Sequence, residues 1–109
     1  MEAAQGAYVR ICEFRARPGL EEEFERIYGP EGDWVRLFKK SKSFLRTELN
    51  CDMDTKGRYI TVDYSVSRSS FDEFLKEFRE EYDALDRHCE RVRAFEKPVG
   101  SFTNHGGSR

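Results

Sequence analysis

The strongest periodic feature of the sequence is a stripe of apolar side chains that recurs at helical spacing. Its members are Phe71, Phe74, Leu75, Phe78, Tyr82, Leu85, Cys89 and Val92. This spacing predicts a long helix of about six turns that buries one face. Several serines precede it, and Ser70 with Glu73 has the spacing of a capping box, so the helix is expected to begin between Ser67 and Ser70.

Four segments have the composition and alternation of β-strands, over residues 8–16, 44–51, 58–66 and 93–102. The third is the clearest: one face carries Ile60, Val62, Tyr64 and Val66, and the other carries Tyr59, Thr61, Asp63 and Ser65. Aspartates and a glycine at residues 52–57 predict a hairpin turn between the second and third strands. Pro98 suits an edge strand or a bulge in the fourth strand.

A shorter helical stripe lies between the first two strands, at Leu20, Phe24, Ile27 and Tyr28. A second helical segment follows the Gly29-Pro30 break, with Trp34, Leu37 and Phe38 on its apolar face. The resulting order is β-α-β-β-α-β, which predicts an α+β, ferredoxin-like fold: a four-stranded antiparallel sheet with the helices on one face. We expect one domain over residues 7–102, with flexible ends at residues 1–6 and 103–109.

Helices on one side leave the other face of the sheet uncovered. The alternation predicts that this uncovered face carries the aromatic residues Phe14, Phe44, Tyr59 and Phe102, mixed with Arg10, Arg46, Glu48 and Asp63. An exposed face with this much aromatic surface is typical of an interface or a ligand site.

Composition excludes several classes of function. The chain has 109 residues with 19 Lys+Arg and 21 Asp+Glu, and this balance argues against a nucleic-acid binder. It contains no run of about 20 apolar residues, so no membrane span is expected. Three scattered cysteines, Cys12, Cys51 and Cys89, favour reduced thiols and a cytoplasmic location. His88 and His105 fall in no metal-binding spacing, and we expect neither a metal nor a cofactor.

Four motifs carry a resemblance to a known family: FRARPG at residues 14–19, SFLRTEL at 43–49, RYITVD at 58–63 and SRSSFDEF at 67–74. Together they resemble the antibiotic biosynthesis monooxygenase (ABM) family over residues 8–102. The resemblance implies a dimeric α/β barrel, in which two sheets pack face to face, and hence a homodimer through the uncovered sheet face. It also implies a cavity between sheet and helices that binds aromatic polyketides, quinones or haem.

The resemblance also designates positions to compare with the family's functional residues. Several oxygenase members have a Trp late in the third strand, where this chain has Ser65 with Tyr64 beside it. Haem-degrading members have an Asn in the first strand, where this chain has Cys12. Their axial His lies late in the second long helix, and His88 stands about one turn further along.

These comparisons give a set of candidate residues. Tyr64 and His88 are the catalytic candidates, and Trp34, Tyr59, Cys12, Phe14 and Ser65 are the candidates for binding substrate. Three of them also have a purely structural interpretation: Trp34 as a packing anchor, His88 as an exposed histidine and Cys12 as a small buried thiol.

Three functions remain open from the sequence. The first is cofactor-free oxidation of a small aromatic or quinone-like molecule by an ABM-like monooxygenase. The second is a non-catalytic dimeric binding or stress-related module with the same fold. The third is haem binding or degradation.

Overall fold

The computed structural model describes residues 6–105. Of the predicted flexible ends, 1–6 and 103–109, residues 1–5 and 106–109 lie outside the described residues, whereas Thr103 lies in a strand. The strands are β1 (Tyr8–Ala16), β2 (Phe44–Cys51), β3 (Arg58–Ser65) and β4 (Arg93–Thr103). The helices are α1 (Glu21–Tyr28), α2 (Asp33–Phe38), α3 (Arg68–Glu77) and α4 (Arg79–Cys89). Strand β4 runs one residue past the predicted end of the domain.

The four strands form one antiparallel sheet in the order β2-β3-β1-β4, and the helices pack on one of its faces. The α+β, ferredoxin-like prediction is therefore confirmed. Pro98 lies in β4, an edge strand, beside a register shift in its pairing with β1. This position is the one expected for a proline, which cannot donate a ladder hydrogen bond.

The long apolar stripe forms two helices where the sequence predicted one. Helices α3 and α4 meet at Phe78, whose backbone departs from helical geometry at φ −112° and ψ 29°. The cap also differs from the prediction, because Ser67 is the N-cap and Ser70 its partner. The Ser67 hydroxyl accepts from the Ser70 backbone N–H at 3.1 Å, and the Ser70 hydroxyl accepts from the Ser67 backbone N–H at 3.3 Å.

The predicted assignment of strand faces is wrong for five residues. Tyr59 is only 1% exposed and packs in the helix-covered core. It pairs with Phe14, and Asp63 pairs with Arg10, so these four side chains share the helix-covered face. Phe44 also packs against this core. The cause is that the more aliphatic set of β3 faces away from the helices, whereas the more polar set lines the interior.

The uncovered face carries an aliphatic row from β1 and β3, extended by aromatic side chains of β4. By register its members are Val9, Ile11, Ile60, Val62, Tyr64, Phe95 and Phe102. Arg46, Glu48 and Phe102 lie there as predicted. The Arg46 guanidinium stacks 3.8 Å from the Tyr64 ring centroid, and the Tyr64 hydroxyl donates to Glu48 at 3.2 Å.

The core between sheet and helices is mainly aromatic. The ring of Phe24 stacks on Tyr28 at 4.1 Å and on Tyr59 at 4.7 Å between centroids. The Tyr59 hydroxyl donates to Glu25 at 2.6 Å, which satisfies its one polar atom. Burial is the main cause of a raised pKa for Tyr59, and the hydrogen bond to Glu25 adds to it, so the hydroxyl stays protonated.

Candidate functional site

A cavity of about 30 Å³ lies between the sheet and the helices. Its sheet wall consists of Arg10, Cys12, Phe14, Thr47, Thr61 and Asp63, and its helix wall consists of Tyr28, Trp34, Phe38, Tyr82 and Asp86. Glu96 of the edge strand completes the lining and is exposed, so the cavity reaches the surface there. We call this space the main cavity.

Arg10 brings a positive charge to the main cavity, because its position on β1 directs it to the helix-covered face. Its guanidinium lies 4.5 Å from the centroid of the Phe71 ring, and its Nη2 lies 3.9 Å from the Cys12 thiol. Nη1 is buried and makes no hydrogen bond within the described part of the chain. Burial is the largest single influence and opposes the charged form, but Tyr82, Asp63 and Cys12 together outweigh it and raise the pKa of Arg10.

Asp63 provides a carboxylate on the neighbouring strand, directly across from Arg10 in the β1–β3 register. Its Oδ1 accepts a 2.6 Å hydrogen bond from the Thr47 hydroxyl, which fixes the side chain. Burial raises the pKa of Asp63, and the hydrogen bond from Thr47 and the charge of Arg10 offset this only in part. The Asp63 carboxylate is therefore a stronger proton acceptor than a solvated aspartate.

Two aromatic side chains form much of the helix wall. Trp34 and Tyr82 meet edge to face with their centroids 4.9 Å apart. The Trp34 indole N–H approaches the Cys89 thiol without forming a hydrogen bond of good geometry. Burial raises the pKa of Tyr82, while the charge of Arg10 and a polar side-chain interaction with it oppose the shift, so the neutral hydroxyl faces the guanidinium with its oxygen as the acceptor.

The mouth of the main cavity is held by an ion-pair cluster. Arg93 contacts Asp86 at 3.2 Å and Glu96 at 3.3 Å, and only 12% of its side chain is exposed. This cluster connects α4 to the edge strand β4. It leaves the mouth polar, in contrast with the aromatic interior.

A second, smaller cavity of about 10 Å³ adjoins the first. Its lining is Phe38, Ser41, Phe44, Asp63, Ser65, Phe71 and Phe74. Phe38 and Asp63 line both cavities, so they form the partition between them.

The residues predicted from sequence divide between several places. Trp34, Cys12 and Phe14 line the main cavity, and Ser65 lines the smaller one. Tyr59 packs in the core against Phe24 and lines neither cavity.

The two catalytic candidates lie away from the cavities. Tyr64 is on the uncovered sheet face beside Glu48. His88 is exposed on α4, where its Nε2 lies 3.2 Å from Arg91 Nη2. Sequence reasoning missed Arg10 and Asp63 as cavity residues because it placed both on the uncovered face. The sequence does contain a signal for the correct face. At a spacing of two residues, Arg10 shares a face with Cys12 and Phe14, and Asp63 shares one with Tyr59 and Thr61. These neighbours are small or aromatic residues suited to a core.

Other features of the described residues concern cofactors and the membrane. Over residues 6–105, no cluster of three His, Cys, Asp or Glu side chains could hold a metal ion. Within the same range, no helix has the length and apolar character needed to cross a membrane. Cys12 and Cys89 are buried free thiols, and Cys51 is an exposed one.

Solved structures share this architecture along nearly the whole chain. A candidate ABM protein from Bordetella bronchiseptica superposes with a TM-score of 0.70 at 14% identity, covering 92% of this chain and 98% of its own. SnoaB, a cofactor-independent oxygenase from Streptomyces nogalater, gives 0.68 at 19% identity, covering 91% and 93%. The chain has the fold of the antibiotic biosynthesis monooxygenases. A candidate ABM protein from Nitrosomonas europaea shares the ABM fold equally, with a TM-score of 0.68 at 14% identity and 92% coverage of both chains.

Neither a protein-family model nor a curated protein matches the sequence. The likeness to the ABM fold therefore concerns architecture, and the chemistry of the site has to be derived from the side chains that this chain places in its cavity.

Proposed function

We propose that the chain is an ABM-family monooxygenase that oxidises a small phenolic or quinone-like aromatic molecule with dioxygen and without a cofactor. The observation that carries this proposal is the position of Arg10 and Asp63, which lie opposite each other on the sheet wall of the main cavity. The buried Arg10 Nη1 has no hydrogen-bond partner among the described residues. Leaving a buried polar group unpaired is costly, and perturbed ionisable groups in a cavity are typical of functional sites.

The two charged groups suit the activation of a phenol. Asp63 accepts the phenolic proton, for which its raised pKa fits it. Arg10 holds the resulting phenolate through its free Nη1 donor. Trp34, Phe14 and Cys12 provide apolar walls for the ring.

The phenolate then reacts directly with dioxygen. Its ring carbon para to the oxygen forms a bond to dioxygen, which gives a hydroperoxide after proton uptake from Asp63. Loss of the ring hydrogen as a proton and cleavage of the O–O bond leave one oxygen as a quinone carbonyl and release the other as water. The balance is one phenol and one dioxygen converted into one quinone and one water, with dioxygen the oxidant.

Oxygen consumption with 1-naphthol as substrate and a metal chelator present tests this proposal. We expect one quinone for each dioxygen consumed, and a rate that falls about 100-fold or more in Asp63→Asn and Arg10→Gln. Asp72→Asn and Arg87→Gln make the same chemical changes at exposed helix positions and serve as controls. Equal rates in all five proteins would refute the assignment of Arg10 and Asp63.

A non-catalytic binding module is the second candidate, and the cavity volume favours it. A space of about 30 Å³ accommodates about two water molecules, so aromatic side chains fill most of the region between sheet and helices. Saturable binding of 1-naphthol with no oxygen consumption above the buffer rate would favour this module over the oxygenase.

We further propose that the functional unit is a homodimer formed through the uncovered sheet face, in the cytoplasm. The exposed aromatic side chains of β4 on this face support the dimer, since Phe95 and Phe102 are 44% and 46% exposed. Covering these side chains with a second copy removes apolar surface from water, which lowers the free energy of the assembly. The three free thiols are compatible with a reducing compartment.

A further inference from the structure

Phe38 occupies a special position because it lines both cavities. Asp63 is the one other residue that the two linings share, and it forms the sheet side of the partition while Phe38 forms the helix side. We propose that Phe38 sets the upper size of the ligand, admitting one aromatic ring beside Arg10 and excluding fused three-ring molecules. This inference rests on the proposed function, since it assumes that the main cavity binds an aromatic molecule.

The two sides of the partition differ in how firmly they are held. Asp63 is fixed by the 2.6 Å hydrogen bond from Thr47 and by its place in the middle of the sheet. Phe38 is the last residue of the six-residue helix α2, and its ring is held by packing alone. It contacts other aromatic rings at centroid distances of 5.6 to 6.4 Å, namely Trp34, Phe44, Phe71 and Phe74. Phe38 is therefore the part of the partition that a ligand or a mutation can remove.

The volumes of the two cavities and their lining residues indicate which space a larger ligand would occupy. Neither cavity, at about 30 and 10 Å³, holds an aromatic ring as it stands, so a bound ring has to displace side chains of the lining and a larger ligand has to displace more of them. The mouth beside Glu96 is surrounded by the charged cluster of Arg93, Asp86 and Glu96, which is a poor environment for apolar rings. The smaller cavity is lined mainly by phenylalanines, so rings beyond the first are directed past Phe38 into it.

Displacing the Phe38 ring destabilises the packed core of the wild-type protein. Moving its ring breaks four aromatic contacts, each of which stabilises the packed state beyond its buried area. A single-ring phenol near Arg10 needs less added space than a three-ring one, and the main cavity can widen for it on the Arg10 side with those four contacts in place. A three-ring phenol breaks them, and its affinity for wild type is therefore low.

Equilibrium dialysis with two coloured or ultraviolet-absorbing probes tests this inference. The probes are 4-methylphenol, with one ring, and 1,8-dihydroxyanthraquinone, with three. We expect Phe38→Ala to bind the three-ring probe at least about 10-fold more tightly than wild type does, because its two cavities are joined. Phe38→Leu keeps a large apolar side chain and is expected to show a smaller gain, which protects the test if the alanine variant fails to fold. Phe78→Ala is the matched control, since Phe78 lines neither cavity and makes none of the ring contacts that hold Phe38.

The outcomes separate this inference from the proposed function. A gain for the three-ring probe in both Phe38 variants, absent in Phe78→Ala, supports the inference. Equal affinity of wild type and the Phe38 variants for the three-ring probe overturns it, whatever the one-ring probe does. Binding of 4-methylphenol to wild type in that case leaves the proposed function standing, whereas no binding of either probe to any protein removes both.

Discussion

Arg10 and Asp63 are the residues on which the functional account depends. They lie opposite each other in the β1–β3 register, inside a core that is otherwise aromatic. Charged side chains in such surroundings are normally paired closely. Among the described residues no carboxylate oxygen lies within 4.0 Å of the Arg10 guanidinium, and its Nη1 has no hydrogen-bond partner, so this donor can bind a ligand.

The raised pKa of Asp63 predicts how stability varies with pH. The folded state holds the proton more tightly than the unfolded state, so ionisation of Asp63 destabilises the fold as the pH rises above the ordinary value of 3.8. Asp63→Asn removes this penalty. We expect the melting temperature of the variant, relative to wild type, to increase between about pH 3 and pH 7. A relative melting temperature that decreases over this interval would show that Asp63 stabilises the fold as a charged group.

The identity of the cavity residues could be predicted from the sequence only in part. The sequence names Trp34, Cys12 and Phe14 as substrate-binding candidates, and the structure places all three on the wall of the main cavity. Arg10 and Asp63 were not among these candidates, because hydrophobicity alone placed Ile60, Val62 and Tyr64 on the covered face. The covered face of this sheet instead holds the polar set, since it surrounds a cavity, and the aliphatic set faces outward.

At the level of elements, the start of α3 depends on the reciprocal pair Ser67 and Ser70. The Ser67 side chain satisfies a backbone N–H that would otherwise lack a partner in the first turn. We expect Ser67→Ala to lower the free energy of unfolding by about 1 kcal/mol, as measured by urea denaturation. Ser67→Asn, which can cap in the same way, should retain most of the wild-type stability. If Ser67→Asn lowered the free energy of unfolding as much as Ser67→Ala, Ser67 would have a role other than capping.

Glu23 connects α1 to the segment that follows α4. Its carboxylate accepts from Arg26 at 2.6 Å and from Arg91 at 2.9 Å, and these contacts lower its pKa from 4.5 to about 2. The stabilisation is present above pH 4.5 and is lost as the pH falls towards 2. Glu23→Gln should therefore lower the melting temperature slightly at neutral pH and not near pH 2, and added salt should reduce the difference because the group is exposed. A difference independent of pH would exclude the ion pairs as its cause.

The element order could be predicted closely because each strand and helix has its own periodicity. Strand β1 has the predicted bounds, and β4 differs by one residue. The break at Phe78 could not be foreseen, because the apolar stripe continues across it and neither Pro nor Gly marks it. The Phe78 N–H still bonds to Phe74 and the Tyr82 N–H to Phe78, both at 2.9 Å, so the hydrogen-bond pattern hardly changes there.

At the scale of the whole molecule, the exposed aromatic side chains of the uncovered sheet face predict that a second copy of the chain covers this face. Phe102 lies on this face beside Val9, and its ring fills the space left by Gly100, where a Cβ would stand 3.1 Å from it. We expect a sedimentation mass of twice 12.8 kDa for wild type and the monomer mass for Phe102→Glu. Because Phe102 is half exposed in the single chain, the variant should keep a native circular dichroism spectrum. A wild-type mass of 12.8 kDa would contradict the dimer.

The central claim is that the cavity between the helices and the sheet, with Arg10 and Asp63 on its wall, binds an aromatic ligand. Trp34 is the chain's single tryptophan and lines that cavity, so its indole N–H gives one resolved nuclear magnetic resonance signal. Titration of the ¹⁵N-labelled protein with 4-methylphenol under argon measures binding there directly. The account predicts a saturable shift of the Trp34 indole signal and of the Arg10 and Asp63 amides, lost in Arg10→Gln. Shifts confined to Ile60, Val62 and Tyr64 on the uncovered face, or no shift at all, would contradict it.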